Sequence, residues 1–79
     1  MTKEKTFNIV QDIFRDIFED NDLVINSETT ADDIDEWDSL NHINIVASIE
    51  KKFSVSFALG ELEDLKNVGE FIKLLEKKQ

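Results

Sequence analysis

Apolar side chains recur along this chain at helical rather than strand spacing. Phe7, Val10, Phe14, Ile17 and Phe18 fall on one stripe that Ile9 and Ile13 widen. The spacing predicts an amphipathic helix over residues 3–19, with Asp12, Arg15, Asp16 and Glu19 on its outer face. Leu40, Ile43, Val46, Ala47, Ile49 and Phe53 predict a second helix over 39–53, about 22 Å long at 1.5 Å per residue. Ile45 falls off that stripe and gives the helix a second, partly apolar surface. Val68, Phe71, Ile72 and Leu75 form the inward stripe of a last helix ending in Lys77 and Lys78, whose charges suit a helix C-terminus. Asn67-Val68-Gly69-Glu70 has the form of a capping box at its start, Asn67 capping the first turn and Glu70 reaching back to the Asn67 amide.

Between these stripes the pattern breaks. Residues 20–38 hold many turn formers and read as a long loop, its path pinned to the core by Leu23, Val24, Ile25 and Ile34. A loop this long in so small a chain suggests a role beyond connection. Ser54 to Ser56 alternate around Val55, but the run is too short to pair and has no partner strand. Residues 54–58 read as connector, followed by a short helix over about 59–65. The chain has no Pro and only Gly60 and Gly69, too few turn residues for a β-rich fold, and neither a repeat nor a low-complexity tract. The expected fold is all-α, a small four-helix bundle of three longer helices and one short one with a long first loop, formed by residues 1–79 as a single domain.

Length and charge narrow the function. At 79 residues the chain buries only about 60–65% of its unfolded surface. Without Cys it has neither disulfides nor a thiolate metal site to brace the core, so packing by aliphatic and Phe side chains must suffice. Eighteen acidic against nine basic residues give a net charge of -9, which repels phosphate backbones and excludes nucleic acid as the expected partner. The charge is uneven: residues 28–38 hold six carboxylates and no cation, whereas 39–53 set Glu50 against Lys51 and Lys52. No apolar run reaches the roughly 18 residues of a membrane span and no leader pattern appears, so a cytoplasmic monomer is expected.

The carboxylate run Glu28, Asp32, Asp33, Asp35, Glu36 and Asp38 meets the second helix at Asp38-Ser39-Leu40. Asp38 suits an N-cap, which puts Ser39 at the first helical position with its hydroxyl in solvent. Ser39 as a catalytic nucleophile needs an aligned base, an oxyanion hole and, most often, a G-x-S-x-G turn, none of which is present. The only histidine, His42, reads as a solvated helix residue or a partner contact, its ring projecting along the helix surface. An EF-hand counted from Asp33 fails, because its fifth, sixth and twelfth positions are Trp37, Asp38 and Asn44. The acids read instead as a solvated surface, with no metal site expected. Trp37 reads either as a cap over the bundle end or as an exposed partner anchor.

Asp38-Ser39-Leu40, set between the acidic loop and the second helix, resembles the acyl carrier protein family, in which the serine of this motif carries a 4'-phosphopantetheine arm. Three residues alone are a weak signal, and the weight comes from the match along most of the chain. The resemblance implies that a Mg²⁺-dependent phosphopantetheinyl transferase directs the Ser39 hydroxyl onto coenzyme A, forming a phosphodiester and releasing adenosine 3',5'-bisphosphate. The arm's thiol then holds acyl groups as thioesters for acyl- or adenylate-forming enzymes, acyltransferases and synthases. The chain is thus expected to be a carrier and not an enzyme, with Asp35, Glu36, Trp37, Asn41, Ile43, Asn44 and Glu50 meeting partners.

Two departures from fatty-acid members stand out. Their helix after the serine is strongly acidic, whereas this one carries Asn41, Asn44, Lys51 and Lys52, and their Gly before the motif gives way to Ile34-Asp35-Glu36-Trp37. The expectation is a stand-alone carrier in a dedicated pathway (polyketide, nonribosomal-peptide-like, or sugar and surface-glycan acylation) with a short or polar cargo left exposed. Family members of fatty-acid type tuck the chain beneath the second helix, where Ala47, Phe57, Leu62, Leu65 and Phe71 are either pocket or plain core. A peptidyl or aminoacyl carrier, or an unmodified acidic interaction module, are the alternatives.

Overall fold

Among the described residues four helices form, in the order α1 (Lys3–Ile17), α2 (Ser39–Phe53), α3 (Leu59–Leu62) and α4 (Val68–Lys78). The structure, a computed structural model, describes residues 2–62, 65 and 67–78. The all-α architecture is as the periodicity predicts, and the isolated bridge between Thr30 and Asn67 is the only β pairing among the described residues. Leu65, at the end of the expected helix over about 59–65, is not helical, and residues 63 and 64 lie outside the described residues.

Thr2 starts α1 by accepting the Lys5 N–H at 3.1 Å, and α1 then packs on both α2 and α4. Their shared core holds Val10 and Phe14 of α1, Ile45 and Ile49 of α2, and Val68, Phe71 and Leu75 of α4, all fully buried. Phe14 sits at its centre, edge-on to Trp37 at 5.1 Å, to Phe18 at 6.0 Å and to Phe71 at 6.5 Å between ring centroids. These edge-to-face geometries add to the apolar area that each ring buries.

The inward face of α2 corrects the expected stripe. Ile45, expected off it, is fully buried, whereas Leu40 and Ile43 are 67% and 64% exposed and Ala47 also faces solvent. The reason is angular. At about 100° per residue, His42, Ile45, Val46, Ile49 and Phe53 share one arc and Leu40, Ile43 and Ala47 the opposite one. Two apolar arcs competed, and α1 covers the one centred on Ile45 and Ile49.

The first loop is fastened at both sides. Arg15, expected on the outer face of α1, instead donates from Nε to the Leu23 carbonyl at 2.7 Å, and Gln11 Oε1 accepts the Ile25 N–H at 3.0 Å. Ile25 enters the core with Leu23 and Ile34 against it, but Val24, expected to pin the loop as well, is 76% exposed. Farther along, the N–H groups of Val68 and Gly69 donate to the carbonyls of Thr29 and Ser27 at 3.0 and 2.9 Å. Donors that a helix start leaves unpartnered thus hold the loop that leads to Ser39. Gly69 is required for this approach, since a Cβ there would lie 2.9 Å from the Ser27 carbonyl oxygen. Asn67 Oδ1 caps α4 through the Glu70 N–H at 2.9 Å, as the capping box predicts, while the Glu70 carboxylate lies 4.0 Å from Lys73.

Candidate functional site

Ser39 is the first residue of α2 and is exposed. Its position follows from Asp38, whose extended backbone ends the loop and whose Oδ1 accepts the Asn41 N–H at 2.8 Å. The Asp38 carbonyl takes the first α2 hydrogen bond, from the His42 N–H at 2.9 Å. Upstream, the Asp38 N–H donates to the Glu36 carbonyl at 3.0 Å, and Asn41 Nδ2 donates to the same carbonyl at 2.7 Å. Backbone and side chain together therefore lock the junction on which the serine stands. Ser39 itself stays exposed at that junction.

Beside Ser39 opens a cleft of about 880 Å³, bounded by Thr30, Ala31 and Asp32 of the loop, His42 and Ile43 of α2, and Leu65. Trp37 closes its floor at 6% exposure, so its burial fits the cap over the bundle end and not the exposed partner anchor. His42 also departs from its expected solvated setting. Its ring lies nearly parallel to the Trp37 indole at 6.1 Å, and Trp37 Nε1 donates to its Nδ1 at 3.1 Å. Desolvation by this packing lowers the imidazole pKa below its ordinary value of 6.5. Sequence reasoning missed the pair, although a signal existed: Trp37 precedes the N-cap and His42 is the fourth helical residue, the two positions that form a staple across a helix start.

The remaining expected partner-contact residues divide by what they touch. Asp35 and Glu36 are exposed on the approach to α2, and Ile43 and Asn44 are exposed on its outer face. Asn41 is engaged with the Glu36 carbonyl, which ties one side of it to the junction. Glu50 turns toward the α2–α3 connector, where its Oε2 accepts the Phe57 N–H at 2.8 Å, so its carboxylate holds the connector. Of the residues considered for a cargo pocket, Leu65 reaches the cleft, Ala47 is exposed and Phe71 is fully buried in the core. Phe57 is partly buried with Lys78 Nζ 5.8 Å from its ring, and the Leu62 side chain lies outside the described residues.

An exposed hydroxyl at the start of a fifteen-residue helix, beside an open cleft, suits a covalently tethered anionic group, because unpartnered N–H groups and the helix dipole favour negative charge there. The family model described as the phosphopantetheine attachment site matches residues 8–75, which takes in the whole of this site. Fold and site together define a carrier domain whose covalently attached group is 4'-phosphopantetheine. The chain is 28% identical over 80 residues to the acyl carrier protein of Lactobacillus acidophilus, covering 100% of this chain and 99% of that relative. It is 34% identical over 79 residues to the acyl carrier protein of Petrotoga mobilis, covering 99% of this chain and 92% of that one. The solution NMR structure of holo acyl carrier protein from Geobacter metallireducens aligns with a TM-score of 0.86 at 48% identity, over 92% of this chain and 84% of that one. The chain belongs to the acyl carrier protein family.

Proposed function

We propose that Ser39 is the attachment point of the phosphopantetheine arm and that the chain carries acyl intermediates between the enzymes of a dedicated biosynthetic pathway. The observation that carries this reading is the exposed Ser39 hydroxyl, held rigidly by the Asp38 cap at the head of α2. When bound, the arm supplies a thiol that holds acyl groups as thioesters. This chain's residues present the attachment point and the surface by which enzymes find it. Leu40 and Ile43, exposed on the outer face of α2, are the apolar contacts we assign to the transferase and to acyl-handling enzymes, with Asp35, Glu36 and Asn44 as the polar rim.

A role as carrier rather than catalyst is supported by the state of His42. The imidazole lines the cleft with Ser39, and its Nδ1 lone pair is taken up by the Trp37 indole. A short or polar cargo is supported by the packing under the serine, where Trp37, His42, Phe71 and Phe14 fill the space with rings 5.1–6.5 Å apart. Lys51, Lys52 and Asn44 on α2 favour a dedicated pathway over a surface read purely through acidic side chains.

The reading is tested by charging the phosphopantetheinylated chain with an acyl-adenylate-forming enzyme, an acyl-CoA-dependent acyltransferase and an amino-acid-adenylating enzyme in turn. Label that hydroxylamine releases should come from the acyl donors and be absent in Ser39→Ala. Charging by amino acids alone replaces the reading with an aminoacyl carrier. Full biological activity of Ser39→Ala leaves an unmodified interaction module.

A further inference from the structure

His42 stands in the cleft beside Ser39 with its proton already placed. An indole N–H only donates, so Trp37 Nε1 at 3.1 Å fixes His42 Nδ1 as an acceptor. The single proton of the neutral ring is therefore on Nε2, and the ring lines the same cleft as Ser39. Ser39 and His42 are three residues apart on α2, a spacing that brings two helical side chains to within about 5–6 Å at Cβ. The ring is held against rotation by the near-parallel indole on one side and by Phe71 at 5.9 Å. Thus a ring whose one remaining donor is Nε2–H is held in the same cleft as Ser39.

The other polar side chains of that cleft sharpen the choice. Asp32 and Asp38 present carboxylates, which repel an anion, and the Thr30 hydroxyl donates to Asp33 Oδ2 at 3.5 Å while accepting the Asp32 N–H at 3.2 Å. Ala31, Ile43 and Leu65 offer apolar surface. Besides the backbone N–H groups of the first α2 turn, an anion tethered to Ser39 meets one side-chain donor in the cleft, the imidazole N–H, and two carboxylates that turn it away.

We propose that His42 Nε2–H donates to the phosphodiester of the arm on Ser39 and lays the first part of the arm along the cleft, with Trp37 positioning the imidazole. The inference rests on Ser39 being the attachment point. Intact mass establishes loading first, so a chain that takes no phosphopantetheine overturns both claims, whereas a loaded chain without the contact overturns only this one.

The experiment follows the His42 ring and the arm's phosphorus by NMR between about pH 5 and pH 8, in apo and holo protein. A phosphodiester does not titrate in that window, and Asp32 and Asp38 are present in both forms. The contact predicts that the His42 midpoint rises by about 0.5 pH unit or more on loading. It also predicts a phosphorus resonance that inflects at the same midpoint and becomes flat in His42→Gln. In Trp37→Phe, which keeps a ring but no donor, the imidazole nitrogen shifts should move from the single Nε2–H form toward a mixture. A flat phosphorus trace in the loaded wild-type chain, with equal His42 midpoints in the two forms, contradicts the contact.

Discussion

One helical turn separates Ser39 from His42, and their environments diverge because Trp37 covers one and not the other. The consequence for stability has a definite sign. Burial lowers the folded pKa of His42 below 6.5, so as pH falls the unfolded chain takes up the proton first. The stabilisation is complete above about pH 6.5 and declines as pH drops from there through the folded value, as protonation also costs the bond from Trp37. Denaturant midpoints measured across this range should fall toward acid, and His42→Gln should show a shallower fall. A wild-type midpoint that rises on acidification through this window contradicts the burial of the neutral ring.

Each element of the fold carries part of the task of presenting the serine. The start of α4 fixes the loop through Ser27 and Thr29, and Gly69 permits that approach. Gly69→Ala should destabilise by about 1–3 kcal/mol, because the new methyl meets backbone and not a side chain that can turn aside. On α2, the exposed pair Leu40 and Ile43 should behave in the opposite way: Leu40→Ser with Ile43→Ser should leave stability within about 0.5 kcal/mol yet lower the transferase's kcat/KM by about tenfold or more. Equal modification rates for the double variant and the wild type contradict the assignment of that face. The extents of α1, α2 and α4 were legible because a stripe every three or four residues has one reading in a chain without Pro. The inward side of α2 was not, because a helix with two apolar arcs leaves the choice to whichever neighbour packs on it. The same reason hid His42, which lies on the arc with Ile45 and Ile49. Ser39 and its cap were legible because an N-cap is a local device, whereas the cleft joins residues 30–32, 37–43 and 65 and exists only once the loop is docked.

The whole molecule spans only 28 × 25 × 21 Å, and its aromatic centre is shared by every long helix and by the loop. Removing the ring that joins them should be felt everywhere. Phe14→Ala should cost about 3–5 kcal/mol, a large part of the stability of a domain this size, and should abolish the cooperative thermal transition or shift it far down. A transition unchanged in temperature contradicts the core described above. The proposed attachment at Ser39 needs one hydroxyl held in a fixed and open place. The most direct test is the intact mass of the chain after incubation with coenzyme A, Mg²⁺ and a broad-specificity phosphopantetheinyl transferase, beside Ser39→Ala. The wild-type chain should gain a single phosphopantetheine unit that the variant does not; an unmodified wild-type chain, or equal gain by Ser39→Ala, contradicts attachment at Ser39.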